Sequence, residues 1–400
     1  MAKTKVLFFA EGATLAHVAR PLVLARALDP SEFDVVLARP ASFAWVTKDE
    51  PFGLIDLRCQ SAETFGARLD RGRPLYDLDT LTDYVRQDLE ILEDQQPDAV
   101  VGDFRLSLSV SARKCSLPYL TICDAYWSPE HRLHPPLPVF PVTRFLPISI
   151  AEPIFRLATR VAFPVHARPM RRLRERFGLP SLGVDLRQAY TDADVRLFAN
   201  FERLFPAVRC GERATFIGPV NWSPAGQQAP DLPNDGRPLA YVTMGSSGDP
   251  AVLGRLVPAL ESAGLSVVVA TAGKPIPAGL ASSRTRIFDF VPGDLLCRHA
   301  RIVVCNGGSP TTSQALVHGV PVLGIAKNMD QFLNMRTIEA YGAGLTVRSD
   351  KAGREALQRA IVPLLEDPSF RSRATTLAES YEPGTAGRVL AERIQKLCAG

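Results

Sequence analysis

Apolar residues in this chain gather in short, nearly uninterrupted runs, each leading through a polar or glycine-bearing turn into a segment of helical period. Such runs lie at 5–10, 33–38, 97–104, 117–122, 194–200 and 215–219, then again at 239–244, 267–271, 287–292, 302–305 and 320–325. They are too short for buried helices and too uniformly apolar for a half-exposed sheet, so they predict strands buried on both faces. Helical period follows at 15–28, 107–115 and 310–318, and near the end at 354–365, 369–377 and 384–397. Strand, helix, strand in this rhythm predicts parallel sheets with right-handed crossovers, whose ligands gather at the C-terminal strand edges. The acidic stretch within 65–95 has the period of a half-exposed helix, and 43–61 is mixed.

The rhythm repeats in both halves. Four hundred residues with 46% hydrophobic content exceed one ordinary core. Two α/β domains are expected: 1–219, joined by a closing helix at about 383–400, and 238–382. A Pro-, Gly- and Asn-rich linker would occupy 220–237.

Composition narrows the picture further. A formal net charge of +4 is too mild to suggest a nucleic-acid partner. No apolar run approaches the roughly 20 residues of a membrane span. The N-terminal run breaks at Glu11 and reads as a first strand, not a signal peptide. Seven cysteines without a CxxC pair suit a reducing cytoplasm. His131 and His134 have a metal-like spacing but no third ligand nearby, so no metal and no bound cofactor are expected.

The densest candidate chemistry lies between Arg301 and Val347. Gly307 and Gly308 open a strand-to-helix turn, and Thr311, Thr312 and Ser313 load hydroxyls into the first helical turn. A helix N-terminus of this kind suits a phosphate. Gln314 follows one turn later, and Asp330, Gln331, Phe332 and Asn334 add a carboxylate, two amides and an apolar ring beyond the next strand, groups that a sugar requires.

From Asn306 through Gly308, Ser309, Thr311, Thr312, Gln314, Gly319, Pro321, Asp330 and Gln331, the stretch resembles, without a gap, the C-terminal signature of the UDP-glycosyltransferase family, whose members are inverting enzymes of the GT-B fold. The resemblance implies two Rossmann-like, doubly wound domains facing across a cleft, and a UDP- or dTDP-linked sugar as co-substrate. Asn306 stands where the family has a His toward the diphosphate, and Gln314 where it has a Glu toward the ribose. Gly245, Ser246 and Ser247 resemble the family's first C-domain loop, near the diphosphate. The segment around Val291 resembles the region that meets the nucleotide base.

In the first domain, GATLAHVARP resembles the turn that carries the family's general base, which makes His17 the expected base. Asp103, at the end of the run 97–104, matches the carboxylate partner that orients the imidazole. A residue of either kind also serves as an ordinary packing or capping group. The aromatic, proline-rich stretch after 123 is expected to wall an acceptor pocket with Tyr126, Trp127 and Phe140. The implied acceptor is a small molecule, either an apolar natural product or a lipid. From Arg156 to Arg176 there are seven arginines and one acid. That segment reads first as the Arg-rich scaffold helix that the family carries before G-L-P, with peripheral contact with an anionic membrane as the alternative. The function implied is hexosyl transfer with inversion. The rival readings are a GT-B sugar-nucleotide epimerase or hydrolase, and a noncatalytic sugar-nucleotide-binding activator.

Overall fold

Each apolar run pairs in parallel with its neighbours, in two separate sheets. The computed structural model describes residues 2–224, 231–233, 235–245 and 248–399, without the side chains of residues 142 and 144. The first sheet comprises β1 (Thr4–Ala10), β2 (Phe33–Arg39), β3 (Gly53–Asp56), β4 (Ala99–Asp103), β5 (Tyr119–Cys123), β6 (Val195–Phe198) and β7 (Ala214–Phe216), in the order β3-β2-β1-β4-β5-β6-β7. The second comprises β8 (Leu239–Thr243), β9 (Ser266–Ala270), β10 (Thr285–Phe288), β11 (Ala300–Cys305), β12 (Val322–Ala326) and β13 (Gly344–Arg348), in the order β10-β9-β8-β11-β12-β13.

Strand order reverses between β1 and β4 in the first sheet and between β8 and β11 in the second. A doubly wound sheet opens its ligand crevice at that switch. Register matters here: Ala10 lies opposite Asp103, so the turn after β1 and the end of β4 share one edge.

The helices are α1 (Leu15–Ala27), α2 (Ala62–Asp70), α3 (Leu78–Gln95), α4 (Leu108–Lys114), α5 (Ile148–Arg176), α6 (Leu186–Thr191) and α7 (Leu253–Ser262). They continue with α8 (Gly293–His299), α9 (Ser309–Val317), α10 (Met329–Tyr341), α11 (Arg354–Glu366), α12 (Pro368–Glu379) and α13 (Thr385–Cys398). In the first unit Val6, Phe8 and Leu37 of the sheet are buried with Leu22 of α1 and with Leu390 and Ile394 of α13. Each such side chain contributes roughly 1.5–3 kcal/mol when fully buried. The second unit builds its core from Val242, Val267, Val304 and Leu323 against Leu256 of α7 and Leu357 and Ile361 of α11.

Contacts divide the chain into residues 1–133, 157–222 and 383–400 in one unit, and 134–156 with 223–382 in the other. Residues 134–156, expected within the first domain, therefore belong to the second. Hydrogen bonds explain the reassignment. Arg348 donates to the Leu137 and Pro138 carbonyls at 2.6 and 3.2 Å, Val139 N–H to the Lys327 carbonyl at 2.8 Å, and Thr143 to Asp350 at 2.6 Å. Two further differences are local. The strand expected at 287–292 stops at Phe288, and Val291 lies in the turn before α8. The strands β3 and β13 and the helices α6, α7, α8 and α10 were not legible as elements in the sequence. Of these, α10 buries residues from Gln331 through Met335 without a break, so its pattern carries no helical contrast.

Candidate functional site

At the β1/β4 edge, His17 stands in the first turn of α1, and its Nδ1 lies 2.7 Å from Oδ1 of Asp103. Asp103 is fully buried, whereas the His17 side chain keeps 18% of its surface. A carboxylate only accepts, so in a neutral imidazole this contact favours the Nδ1–H tautomer, with the lone pair on Nε2. Arg20, one turn further along α1, donates from Nε to Oδ2 of Asp103 at 2.7 Å and from a terminal nitrogen to Oδ1 at 2.8 Å. Its other terminal nitrogen reaches Asp124 at 3.0 Å, and Asp124 in turn accepts from Asn200 at 2.9 Å. Burial opposes the Arg20 charge, yet the two carboxylates raise its pKa well above the usual arginine value.

The residue after Asp103 is strained. Phe104 adopts φ +58°, uncommon for a bulky residue, and so lays its ring on His17 with centroids 4.9 Å apart and planes 15° from parallel. Around Phe104 stand Phe65, Tyr76 and Tyr190, with centroids 6.1, 6.2 and 5.4 Å away, and Trp127 continues the row from Tyr190 at 5.6 Å. Next to this row, Arg105 bridges Glu11 at 3.3 Å and Asp88 at 2.9 Å, all three fully buried, with its guanidinium 3.7 Å over the Tyr84 ring. Burial raises the Glu11 carboxyl above its ordinary range, against the opposing pull of Arg105. A cavity of about 390 Å³ opens beside Gly12, lined by Pro40, Phe43, Cys59 and Gln60 among others.

The expected acceptor residues divide. Trp127 is half-buried within the aromatic row. Tyr126 is wholly buried and presents no face to a ligand, which corrects its expected role. Phe140 falls in the second unit, where it packs on Phe155 with centroids 6.0 Å apart.

In the second unit, the turn after β11 is held from several sides. Asn306 Oδ1 accepts from Gly308 N–H at 3.0 Å, a local Asx turn. Gly307 has φ +84°, and a Cβ there would come within 2.7 Å of Met335. Gly245, at the end of β8, has φ +56° and faces the Asn306 amide. Gly308, Thr311, Asp330 and Gly245 keep partial exposure around this turn. Ser309 is buried at the start of α9. Ser246 and Ser247 lie outside the described residues.

Three expected donor contacts are committed internally. Thr312 donates to the Ser309 carbonyl at 3.1 Å and accepts from Asn334 Nδ2 at 2.8 Å. Gln331 is 1% exposed, and its Oε1 accepts from Lys327 and Asn328 N–H at 2.8 and 3.2 Å, completing the capping box of α10. Gln314, 8% exposed, donates to Ser223 Oγ at 2.9 Å. Its Oε1 leaves no room for a Cβ on Gly293, so Gln314 and the turn carrying the buried Val291 sit side by side. Among the described residues no three His, Cys, Asp or Glu side chains converge as metal ligands.

Residues 267–396 match the family model described as "Erythromycin biosynthesis protein CIII-like, C-terminal domain". The chain is 40% identical over 392 residues to a PGL/p-HBAD biosynthesis glycosyltransferase of Mycobacterium tuberculosis, covering 96% of this chain and 90% of that protein. The chain belongs to this glycosyltransferase family. It is also 38% identical over 386 residues to a PGL/p-HBAD biosynthesis rhamnosyltransferase of Mycobacterium bovis, covering 95% and 84% of the two chains. Among solved structures, the calicheamicin glycosyltransferase CalG4 matches with a TM-score of 0.75 at 17% identity, covering 100% of this chain and 99% of that one. The glycotransferase of kitacinnamycin matches with a TM-score of 0.73 at 21% identity, covering 98% and 100%. At those identities the likeness establishes the GT-B fold.

In this glycosyltransferase, sequence reading missed Arg20 and Lys274, and took Asn334 as an amide for a sugar, whereas it braces the glycine turn. Arg20 stands three residues after His17, a spacing that puts both on one face of α1, but its carboxylate partners come from distant strands. Asn334, 3% exposed, ties α10 to the glycine turn by donating to the Gly307 carbonyl at 2.8 Å as well as to Thr312. Lys274, in the loop after β9, donates to the Gly248 carbonyl at 3.2 Å. Burial and the charge of Lys327 push its pKa below the ordinary lysine range.

Proposed function

We propose that this glycosyltransferase moves a hexose, with rhamnose the first candidate, from a UDP- or dTDP-linked donor to a hydroxyl of an apolar, ring-bearing acceptor, with inversion at the anomeric carbon and His17 as general base. The observation that carries this reading is the 2.7 Å contact of His17 Nδ1 with a fully buried Asp103. The 38% identical relative named as a rhamnosyltransferase supports the choice of sugar. The half-buried rings of Phe65, Phe104, Trp127 and Tyr190 beside His17 support an acceptor of aromatic and apolar character.

In the proposed step, the acceptor oxygen attacks the anomeric carbon as its proton passes to His17 Nε2. The bond from that carbon to the diphosphate oxygen breaks through an oxocarbenium-like transition state. Asp103 fixes the imidazole and meets the charge that develops on it. The departing diphosphate gains negative charge, which the N-terminus of α9, the Asn306 amide and the Lys274 ammonium are suited to stabilise. Asp330 is the carboxylate available for sugar hydroxyls.

The test is a panel of UDP- and dTDP-sugars, ranked first by thermal stabilisation and then incubated with phenolic and aliphatic alcohol acceptors. The expected product is a glycoside of a phenol, with anomeric configuration opposite to the donor's. Retention of configuration, or preference for aliphatic acceptors, overturns the reading.

A further inference from the structure

The long helix α5 carries apolar residues on two opposite sides. Ala167, Met170 and Leu173 are buried in the first unit, with Phe163 packed against the same cluster. On the other side Leu157, Val161 and Val165 are 64%, 70% and 51% exposed. The same spacing runs back along the helix through Ile154 and Ile150, 57% and 52% exposed. Successive steps of four, three, four and four residues keep all five on one helical stripe. Scattered exposed aliphatics need no explanation, but a stripe of this length does.

The charge along the stripe is mainly positive, with Glu152 ahead of it and Glu175, paired to Arg171, beyond it. Between Pro153 and Arg174 the sequence contains no Asp or Glu, whereas Arg156, Arg160, Arg168, Arg171 and Arg172 all fall within it. Arg160, Arg168 and Arg172 are exposed, and the last two continue the line of the apolar stripe toward the C-terminal end. The acid just ahead, Glu152, is held by both Arg156 at 3.2 Å and Arg336 at 2.7 Å. Among the described residues no helix is long and apolar enough to cross a membrane, so α5 does not span one. An exposed aliphatic stripe bordered by arginines is the arrangement of a helix that lies in the plane of a lipid interface, with aliphatics among acyl chains and guanidinium groups on phosphates.

We propose that the outer stripe of α5 docks this enzyme on an anionic lipid surface. The inference is independent of the acceptor assigned above, because it rests on exposure and charge outside the rings that surround His17. It implies a way for an apolar acceptor dissolved in lipid to be met at the surface.

The test uses the full chain and two kinds of vesicle, one of phosphatidylcholine and one of equimolar phosphatidylcholine and phosphatidylglycerol. The protein is expected to co-sediment with the anionic vesicles, weakly with the neutral ones, and less as salt rises. The double variant Leu157→Glu/Val161→Glu should bind anionic vesicles at least about tenfold more weakly, while transfer to a water-soluble acceptor stays unchanged. Arg168→Glu/Arg172→Glu should weaken anionic binding without perturbing the fold, as judged by an unchanged melting temperature. Equal binding by wild type and both variants overturns the proposal, as does absence of binding to either vesicle. If the wild type self-associates without lipid and Leu157→Glu/Val161→Glu is monomeric, the stripe joins copies of the chain and the proposal is likewise overturned.

Discussion

Arg20 grips the Asp103 carboxylate with two nitrogens, at 2.7 and 2.8 Å, on the same side chain whose Oδ1 receives His17. Two side chains thus meet at one buried acid, and the arginine supplies the positive charge that makes its burial tolerable. Arg20→Gln would leave Asp103 without that charge. Breaking a buried pair costs about 3–5 kcal/mol. Urea unfolding should show a loss of that size, and Arg20→Lys should not rescue it, because an ammonium cannot reproduce the planar fork. A wild-type urea midpoint for Arg20→Gln would show that Asp103 does not depend on this partner.

His17 separates differently. It is partly exposed, and Arg20 still bonds both Asp103 oxygens without it, so His17→Ala should leave stability and nucleotide binding close to wild type. Turnover should fall about 10²–10⁴-fold, the range of a positioned general base. Asp103→Asn should lose turnover and stability together, since the amide removes the charge opposite Arg20 and keeps only one accepting oxygen for His17 and Arg20. Initial rates paired with calorimetric nucleotide titration distinguish the two patterns, and undiminished turnover in His17→Ala would remove it from the chemistry.

Asn334 is expected to act through the glycine turn. Asn334→Leu removes the donor to the Gly307 carbonyl and the Thr312 hydroxyl, both in the interior. Each stranded group costs about 1–3 kcal/mol. The expected result is a lower melting temperature together with weaker nucleotide binding. Lower stability with intact nucleotide affinity would mean that the turn does not hold the donor.

Lys274 gives a pH signature. Its protonated form is the one that attracts a diphosphate, and burial and Lys327 depress its pKa. The attraction is therefore complete at lower pH and fades as pH rises through a value below that of a free lysine. Lys274→Gln should bind nucleotide about tenfold more weakly at neutral pH, a loss of about 1.4 kcal/mol, and should flatten the alkaline decline. Parallel pH profiles for wild type and variant would exclude Lys274 from the donor site.

The sheets were legible because strands buried on both faces leave unbroken apolar runs, and the glycine turn was legible because only glycine suits a φ such as that of Gly307. His17 and Asp103 were singled out by resemblance to the family's base-bearing turn and its carboxylate partner, and they lie in contact. What stayed hidden depends on contacts between distant segments. Arg20 looks like any helix-surface arginine until β4 and β5 bring Asp103 and Asp124 beside it. Tyr126 looked like a pocket wall because its loop is aromatic, but burial is decided by packing that the sequence does not display. Gln331 matched a sugar-binding position and is also the N3 residue of a capping box, and the pattern could not say which use its Oε1 serves.

The packing of α13 on α1 has a consequence for biosynthesis. A Cβ on Gly387 would come within 2.5 Å of the Ala27 Cβ, so the two helices meet with almost no side chain between them. The helix bearing His17 and Arg20 is thus sealed by residues that leave the ribosome only after the entire second unit has been made. Until then the nascent first unit exposes the seat of Leu390 and Ile394, and premature termination ahead of Thr385 would yield a chain whose histidine-bearing helix never receives its cover.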